Sequence, residues 1–503
     1  MTFVTDQQLG SVNYTTPKAI IIEITPNPTA RAASTNVAGI VAQFNRGNTN
    51  RTYTVGSMTD VGKKLGVYVN GLDGYYFMKN FYDANGGTAK VAIAASSGRT
   101  SASGYIRATH ATSGTILGIF VADSSGTWGN SLLIDVKEAS VADYFNITVR
   151  NPNTTESRTY QKVTTDSDDT RYIKTIIDAD ANRFFSYTSV VTDGTVALAN
   201  TTFTFSGGLN GTVEGSSVAD TAYVGTDSGG LRSGIQLFKN QAESDVIVVG
   251  SARNTSTINA ALLTHVADIT LQPRRTIVPF AAGTTVDQAI TAVASLDTDK
   301  AKVVFPYVKV FNIFTNQEET FNPTAFELAN DTLMSYHLSA SQTRLPDIVT
   351  ALELELSSTE IDSLTAKRIN PYALEAGRGF IRKSDYTLSS NPALAQNVVR
   401  KAKDFFGRSF YTSIQPYLSK PINQRLFDNL KDTLSSLLRI EERAERIGNL
   451  YGAAFGVKCD NDNNPPESVD QNRVNILVEI SLLAPADFIQ VLMDARQNKT
   501  VNI

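Results

Sequence analysis

Cysteine, tryptophan and histidine are nearly absent from this chain, whose 503 residues include one Cys, one Trp and three His. A single cysteine excludes a disulfide bond within the chain, which fits assembly in a reducing compartment. We expect Cys459 to fill space in a core, because no histidine in its sequence context would activate it as a nucleophile. His110, His265 and His337 are widely separated and lack the spacing of zinc ligands, so we expect ordinary surface or core histidines.

The chain also lacks a strong net charge and any long apolar run. It has 45 Lys and Arg against 49 Asp and Glu, for a net charge of −4, so no overall positive field favours nucleic acid. No segment approaches the roughly 20 apolar residues of a transmembrane helix, and the amino terminus has no secretion signal. We therefore expect a soluble protein made inside a cell, with no membrane insertion and no direct contact with nucleic acid.

Three segments offer weak candidates for a ligand site. In Gly56–Lys64 five residues separate the two glycines where a phosphate-binding loop has four, and Lys64 stands in place of the hydroxyl residue. Asp166–Asp169 and Asp460–Asn464 hold oxygen ligands but lack the central glycine and closing glutamate of a calcium loop. We interpret them as a solvated helix start and two solvated loops, with calcium a minor alternative for the last. The sequence predicts no cofactor, no metal and no catalytic residue.

The sequence does contain an alternation of short apolar strands with helical patterns, which predicts an α/β (α+β) protein of several domains. Its length is enough for roughly two to four of them. Apolar and β-branched runs predict strands, and apolar residues that recur every three or four positions predict helices. The expected strands are 19–24, 37–42, 90–94, 245–249 and 302–305, and the expected helices are 71–82, 259–266 and 285–294.

Residues 98–214 have a different composition, dominated by Ser, Thr, Gly and Asn, in which short β runs alternate with turn clusters. This pattern predicts an inserted β-rich domain. The only tryptophan lies here, in the segment Gly126-Thr127-Trp128-Gly129-Asn130-Ser131-Leu132. We expect Trp128 to plug a tight turn between its flanking glycines.

The last third of the chain is more helical. One helix is predicted at 395–410, and a long amphipathic helix from about 421 to 447, with Pro421 in its first turn and Gly448 after its end. The apolar side of the long helix carries Leu426, Phe427, Leu430, Leu434, Leu437 and Leu438. The opposite side carries Arg425, Lys431, Arg439, Arg443 and Arg446, mixed with acids.

The chain closes with a pattern of strand, polar loop and strand. Gly456–Asp460 is followed by Asn464-Pro465-Pro466-Glu467, then by the segment 469–480, and the apolar residues 488–492 predict a last strand. No catalytic set is evident in these residues. The pattern therefore favours a role in assembly over a catalytic role, with a terminal strand that can pair with another chain.

Several blocks, in one order along essentially the whole chain, carry a resemblance to a known family. They are 17–24 with 37–41, 81–87, 126–132, 377–380 with 387–394 and 399–401, and 456–480. This order resembles the contractile tail sheath proteins of tailed phages and related injection machines. The family's T-P-G-V-Y pattern near the amino terminus is Thr16-Pro17-Lys18-Ala19-Ile20 here, and 220–345 matches only loosely.

The resemblance implies a structural, non-enzymatic subunit. Such a subunit polymerises helically, in stacked hexameric rings, around an inner tube and contracts to drive the tube through a target cell envelope. Its partners would be copies of itself, the inner tube protein, and baseplate and tail terminator proteins. Its location would be the sheath of a virion tail or of a contractile injection particle assembled in the host cytoplasm.

The same resemblance implies roles for two sets of residues. An amino-terminal strand of one subunit and a carboxy-terminal strand of another would complete a sheet in a third. The donated carboxy-terminal strand would be Phe488, Ile489, Gln490, Val491 and Leu492. The long helix would face the tube with Arg425, Lys431, Arg439, Arg443 and Arg446.

The resulting domain prediction has five parts. They are a linking arm at 1–18, an α/β domain at 19–97 with 215–345, an outer β-rich domain at 98–214, an inner tube-facing domain at 346–487 and a second linking arm at 488–503. Two other classes of protein stay open at this point. The Thr- and Gly-rich region 98–214 is also typical of an adhesin-like surface module, which would require secretion. An enzyme of the nucleotide or metal class would require a site that the sequence does not offer.

Overall fold

The computed structural model describes residues 2–5, 20–23, 32, 36–95, 98–108, 114–190, 198–211, 219–268, 272–449, 451–483 and 485, with backbone alone at 2–5 and 20–23. The described residues fall into two compact units. One, the main unit, takes its described residues from 34–335 and 340–400. The other, the C-terminal unit, takes them from 1–33, 336–339 and 401–503.

An eight-stranded sheet, the α/β sheet, lies at the centre of the main unit. Six inner strands run parallel and the two edge strands run antiparallel to their neighbours. Every residue of Val37–Ala42, Arg275–Pro279 and Ala301–Phe305 is buried, as expected for parallel strands covered on both faces. In spatial order the strands are Gly379–Arg382, Ile369–Glu375, Ala301–Phe305, Arg275–Pro279, Val248–Ser251, Val37–Ala42, Thr88–Ile93 and Thr52–Val55.

Helices connect these strands and begin where the sequence supplies caps. Thr285 and Ser357 each form a full capping box with the residue three positions later, and Ser57 and Thr255 cap with their hydroxyls alone. The predicted helices at 71–82, 259–266 and 285–294 are therefore confirmed within a few residues. The helices of the main unit are Met58–Leu65, Gly74–Asp83, Asp220–Val224, Ser256–Ala267, Val286–Val293, Thr324–Leu333 and Ser358–Ala366, with 3₁₀ turns at Gly234–Lys239, Gln241–Glu243 and Pro392–Leu394.

A seven-stranded antiparallel sheet, the β-rich insert, lies between residues 103 and 206. Its strands alternate buried and solvent-facing residues, and it encloses an apolar core of its own. In spatial order they are Ser157–Val163, Phe145–Arg150, Leu133–Glu138, Thr202–Ser206, Ser103–Arg107, Ile116–Ala122 and Phe185–Ser189, and Ile173–Asp178 is a short helix beside them. Two small sheets complete the main unit: Gln317–Phe321 with Val308–Asn312 and Val349–Leu352, and Asp227–Ser228 with Leu231–Arg232.

The turn that contains Trp128 joins the β-rich insert to the α/β sheet. Trp128 lies in the 3₁₀ turn Thr127–Ser131, is 4% exposed, and donates from Nε1 to the Ser124 carbonyl at 3.1 Å. Arg46, just after the first parallel strand, stacks 3.8 Å from the Trp128 ring centroid. Gly126 has φ of 128°, and a Cβ there would be 1.8 Å from the Asn45 carbonyl oxygen, so only glycine fits. The predicted plug is confirmed, and it also joins two sheets.

Six charged side chains from strands of the α/β sheet, from the helix Thr324–Leu333 and from Asp385 are buried together, and we call them the buried charge cluster. They are Arg275, Lys302, Glu327, Asp331, Arg382 and Asp385, each at most 6% exposed. Glu327 accepts from Lys302 Nζ at 2.5 Å, from Arg382 Nε at 2.6 Å and from the Tyr372 hydroxyl at 2.8 Å. Burial raises the pKa of Glu327, but the charges of Arg382 and Lys302 outweigh burial and lower it to about 2.

The C-terminal unit contains two long helices and a hairpin. The helices are Asn397–Ile414, which enters this unit at Lys401, and Gln424–Arg443. The hairpin, which we call the terminal hairpin, pairs Phe455–Lys458 with Leu477–Ile480, and the short helix Pro466–Asp470 lies in its connection. Gln415–Tyr417 is a 3₁₀ turn. The backbones of Thr2–Thr5 and Ile20–Glu23 pair in parallel.

The predicted bounds of the long helix, 421–447, are wrong at both ends. Asn423 caps the helix by accepting from the Leu426 N–H at 2.9 Å, so the helix begins at Gln424 and Pro421 precedes it. The helix ends at Arg443 because the chain turns away at Glu445, whose φ is 55°, before it reaches Gly448. The apolar stripe is buried as predicted.

The α/β multidomain fold class is confirmed, but one boundary differs from the prediction. Strand Ile369–Glu375 pairs with Ala301–Phe305 inside the α/β sheet, so residues 340–400 lie in the main unit and not in a C-terminal domain that starts at 346. A sequence pattern that shows a strand does not show which sheet the strand joins, and this explains the difference. The other domain limits remain predictions.

Candidate assembly surface

The terminal hairpin is a short ribbon with one covered face. Its four residue pairs run from Phe455 opposite Ile480 to Lys458 opposite Leu477. Phe455, Val457, Val478 and Ile480 pack against an apolar cluster that includes Tyr336, Ala402, Phe405 and Phe406. On the other face Leu477 is 52% exposed, and Gly456 and Glu479 are exposed as well. This alternation is what a strand pair covered on one side requires.

Both outer edges of the terminal hairpin are open within the described part of the chain. There, each strand pairs with the other and with no further strand. The backbone N–H and C=O groups on the outer edges therefore lack strand partners, which makes each edge a template for an added strand. The exposed Leu477 and Leu483, 52% and 43% exposed, lie on or just beyond the second strand.

A buried polar contact anchors the helices under the hairpin. The Tyr336 hydroxyl donates to Glu441 Oε2 at 2.6 Å, and Arg446 Nη1 pairs with the same carboxylate at 3.2 Å. Burial, together with the Glu441 carboxylate, raises the pKa of Tyr336, so the phenol stays a donor. Tyr336 also stacks on Phe405 with ring centroids 4.2 Å apart. The residues on which the hairpin packs are therefore held in place by both ring stacking and hydrogen bonds.

Cys459 lies directly after the first hairpin strand and is 2% exposed, among Tyr417, Leu426, Phe427 and Leu430. Burial raises the pKa of its thiol, which lowers the thiolate fraction and with it the reactivity. The prediction of a core-filling cysteine is confirmed.

The predicted tube-facing residues are on or near one exposed helix side. Arg425, Lys431, Arg439 and Arg443 are exposed on the long helix, with the acids Asp428 and Asp432 among them. Arg446 lies beyond the end of the helix and pairs with Glu441, so its placement on the helix was wrong. The strand Phe488–Leu492 lies outside the described residues. Neither predicted role is tested by the positions of these residues.

Two of the weak ligand-site candidates of the sequence have structural roles. Ser57 caps the helix Met58–Leu65, so Gly56–Lys64 is the expected helix start. His265 is 2% exposed and lies 3.2 Å from Arg274 Nη1, and burial, with the positive charge of Arg274, lowers its pKa to about 3. Burial also lowers the pKa of His337, while His110 lies outside the described residues.

The described residues include no group of three or more His, Cys, Asp or Glu side chains that could hold a metal ion. Within the same residues no helix is both long and apolar enough to span a bilayer. Asp169, in one of the two acidic loops, accepts from the Tyr144 hydroxyl at 2.5 Å.

The described fold is similar to that of several solved tail sheath proteins. No protein-family model and no curated protein matches the sequence. Among solved structures, the chain is similar to a sheath tail protein from Listeria innocua, with a TM-score of 0.64 and 14% identity over 90% of this chain and 96% of that one. A sheath tail protein from Desulfitobacterium hafniense matches with a TM-score of 0.57 and 13% identity over 88% of this chain and 94% of that one.

A third similar structure is the contracted helical sheath of the anti-feeding prophage. It matches with a TM-score of 0.56 and 12% identity over 96% of this chain and 99% of the other. Because the identities are low, these matches establish a shared fold over nearly the whole chain.

Proposed function

We propose that this protein is the structural subunit of a contractile sheath. Polymerised helically around an inner tube, it would contract to drive that tube through a target cell envelope. The observation that carries this proposal is the fold, which spans 88–97% of the chain in the comparisons with sheath proteins. Two of those proteins were solved as contracted sheaths, one of the anti-feeding prophage and one of an extracellular contractile injection system. The role is mechanical and requires no catalytic residue.

The terminal hairpin supports a particular way of joining subunits. Its two open edges would accept one strand from the amino-terminal arm of a neighbour and one from the carboxy-terminal arm of another, Phe488–Leu492. Main-chain hydrogen bonds of this kind link chains without a large flat interface. Such joints serve as hinges while the folded units rotate and gain new contacts. Contraction would then be driven by subunit contacts, with the extended sheath as a metastable state.

The partners follow from this role. They are further copies of the chain in stacked hexameric rings, the inner tube protein, a baseplate and a tail terminator. A baseplate of the anti-feeding prophage is among the similar structures. The particle would be a phage tail or another contractile injection machine, assembled in the cytoplasm of its host.

Electron microscopy of the purified full-length chain tests this function. We expect helical tubes or stacked rings, because every copy carries both the accepting hairpin and the arms to be donated. Analytical ultracentrifugation of the same sample should show assembly that rises steeply with protein concentration. A protein that stays monomeric across salt, crowding and concentration series, with both arms intact, would contradict the proposal.

The exposed side of the long helix is proposed to face the inner tube. Reversing two of its charges, in Arg439→Glu/Arg443→Glu, should leave sheath assembly intact but weaken cosedimentation with tubes isolated from the particle, by about tenfold. Each exposed pair contributes little, but the reversal turns attraction into repulsion. The matched control is Lys63→Glu/Lys137→Glu, which makes the same charge change at exposed sites of the main unit. Equal tube binding by both double variants would place the tube contact elsewhere.

A further inference from the structure

The terminal hairpin has a long connection for so short a ribbon. Its strands have four residues each, and residues 459–476 join them. A two-stranded hairpin is marginally stable at best, and a long loop raises the entropy cost of closing it above that of a tight turn. The two strands therefore need additional bonds where the connection leaves one and enters the other.

Asn463 supplies part of that bonding. Its Nδ2 donates to the carbonyl of Lys458, the last residue of the first strand, at 3.0 Å. The same group donates to the carbonyl of Asn475, two residues before the second strand, at 2.9 Å. Asn463 Oδ1 accepts from the Asp460 N–H at 2.9 Å. One side chain thus bridges the exit of the first strand and the entry of the second.

Asn464 makes the tighter connection and is 3% exposed. Its Oδ1 accepts from the Asn475 N–H at 2.5 Å, and its Nδ2 donates to the Asn475 carbonyl at 3.0 Å. It therefore satisfies both backbone groups of one residue, as a neighbouring strand would. Nδ2 also donates to the Asp460 carbonyl at 3.0 Å. The side chain of Asn475 donates in turn, from Nδ2 to the Asn463 carbonyl at 3.1 Å and to Ser468 Oγ at 2.9 Å.

We propose that Asn464, supported by Asn463 and Asn475, is a positioning residue that holds the terminal hairpin closed and in register to receive strands from neighbouring copies of this chain. The inference rests on the proposed sheath function. A buried amide suits the position because it offers one acceptor and two donors to fixed backbone groups. An aspartate would turn a negative oxygen toward two carbonyls. An alanine would leave the Asn475 N–H without its acceptor, and the Asn475 carbonyl would keep only the bond from Asn463.

The test compares Asn464→Ala with Asn461→Ala, an exposed asparagine three residues earlier in the same loop. In unassembled full-length protein, we expect Asn464→Ala to lose amide-exchange protection at 455–458 and 477–480 and to keep it in the α/β sheet. Its critical concentration for tube formation should rise by about tenfold or more, because the Asn475 N–H and the Asp460 carbonyl lose the bonds that Asn464 makes. Asn461→Ala should match the wild type in both measurements.

A covalent staple separates positioning from general damage. Val457 and Val478 are directly opposed, so a Val457→Cys/Val478→Cys pair in a Cys459→Ala chain can form a disulfide across the hairpin. Combined with Asn464→Ala, the oxidised staple should restore tube formation and the reduced form should not. The same staple with Asn464 intact must assemble when oxidised, which controls for harm done by the staple itself.

Each outcome decides one statement. The positioning role would be overturned if the hairpin of Asn464→Ala kept wild-type amide-exchange protection or if that variant assembled normally. It would also be overturned if the oxidised staple failed to restore assembly of Asn464→Ala. If the wild type forms no tubes at all, the sheath function fails, and the exchange measurement still decides whether Asn464 holds the hairpin.

Discussion

Removing residues 488–503 will give a folded protein that no longer forms tubes. Within the described residues the terminal hairpin has two open edges, and the proposed joint fills one of them with Phe488–Leu492 from a neighbour. Without that strand, the edge keeps its unpaired backbone groups and the chain of linked subunits is interrupted at every copy. The truncation should lower tube yield to background in electron microscopy while its thermal unfolding stays close to that of the full chain.

A second variant keeps the chain length and removes only main-chain donors. Ile489→Pro/Val491→Pro takes two N–H groups from the proposed donated strand and should assemble as poorly as the truncation. The matched control, Gln490→Ala, leaves the backbone intact and should form normal tubes. Tubes of normal yield from the truncated chain would sink the strand-donation account.

Replacing Glu327 by glutamine will strongly destabilise the main unit. The carboxylate lies between Lys302 and Arg382 in the buried charge cluster, and it is 1% exposed. Glutamine has nearly the same shape as glutamate but is uncharged, so Lys302 and Arg382 lose the buried negative charge with which they pair. Breaking a buried pair from one side costs about 3–5 kcal/mol. Urea unfolding measures this loss, and Glu318→Gln, at an exposed pair with Lys309, should change stability by less than about 1 kcal/mol.

The same residue gives a direction for the effect of pH. The pKa of Glu327 is lowered from 4.5 to about 2 in the folded chain, so the unfolded chain binds its proton first as pH falls. Its contribution is fully present above about pH 4.5 and is lost progressively as pH falls toward 2. The stability gap between wild type and Glu327→Gln should therefore shrink across that interval. A gap that is small at pH 7, or that widens in acid, would contradict the role of the cluster.

Local patterns predicted the secondary structure well, and for physical reasons. Side-chain periodicity marked the parallel strands and the long helix because burial on one or both faces dictates where apolar residues occur. The predicted bounds of the long helix were wrong because single residues decide them. The side chain of Asn423, and not Pro421, caps the start of the helix, and the turn at Glu445 ends it before Gly448. Periodicity does not carry that information.

Long-range features were beyond the sequence. The buried charge cluster joins residues spread from Arg275 to Asp385, and no short motif signals it. The closing block was recognised as strand, loop and strand, but the second strand is only Leu477–Ile480, and Pro466–Asp470 forms a helix. The set of hydrogen bonds that Asn463, Asn464 and Asn475 form across the hairpin connection was missed as well. Its signal was present in the run Asn463-Asn464-Pro465 and in Asn475, since asparagine amides bind backbone groups in long turns.

We propose that neighbouring copies are joined through strands added to the terminal hairpin. A cryo-electron microscopy reconstruction of tubes formed by the full-length chain tests it most directly. We expect a four-stranded sheet at 455–458 and 477–480, in which the outer two strands belong to two other copies. Tubes in which both hairpin edges face solvent, with subunits joined only through side-chain contacts elsewhere, would contradict the claim.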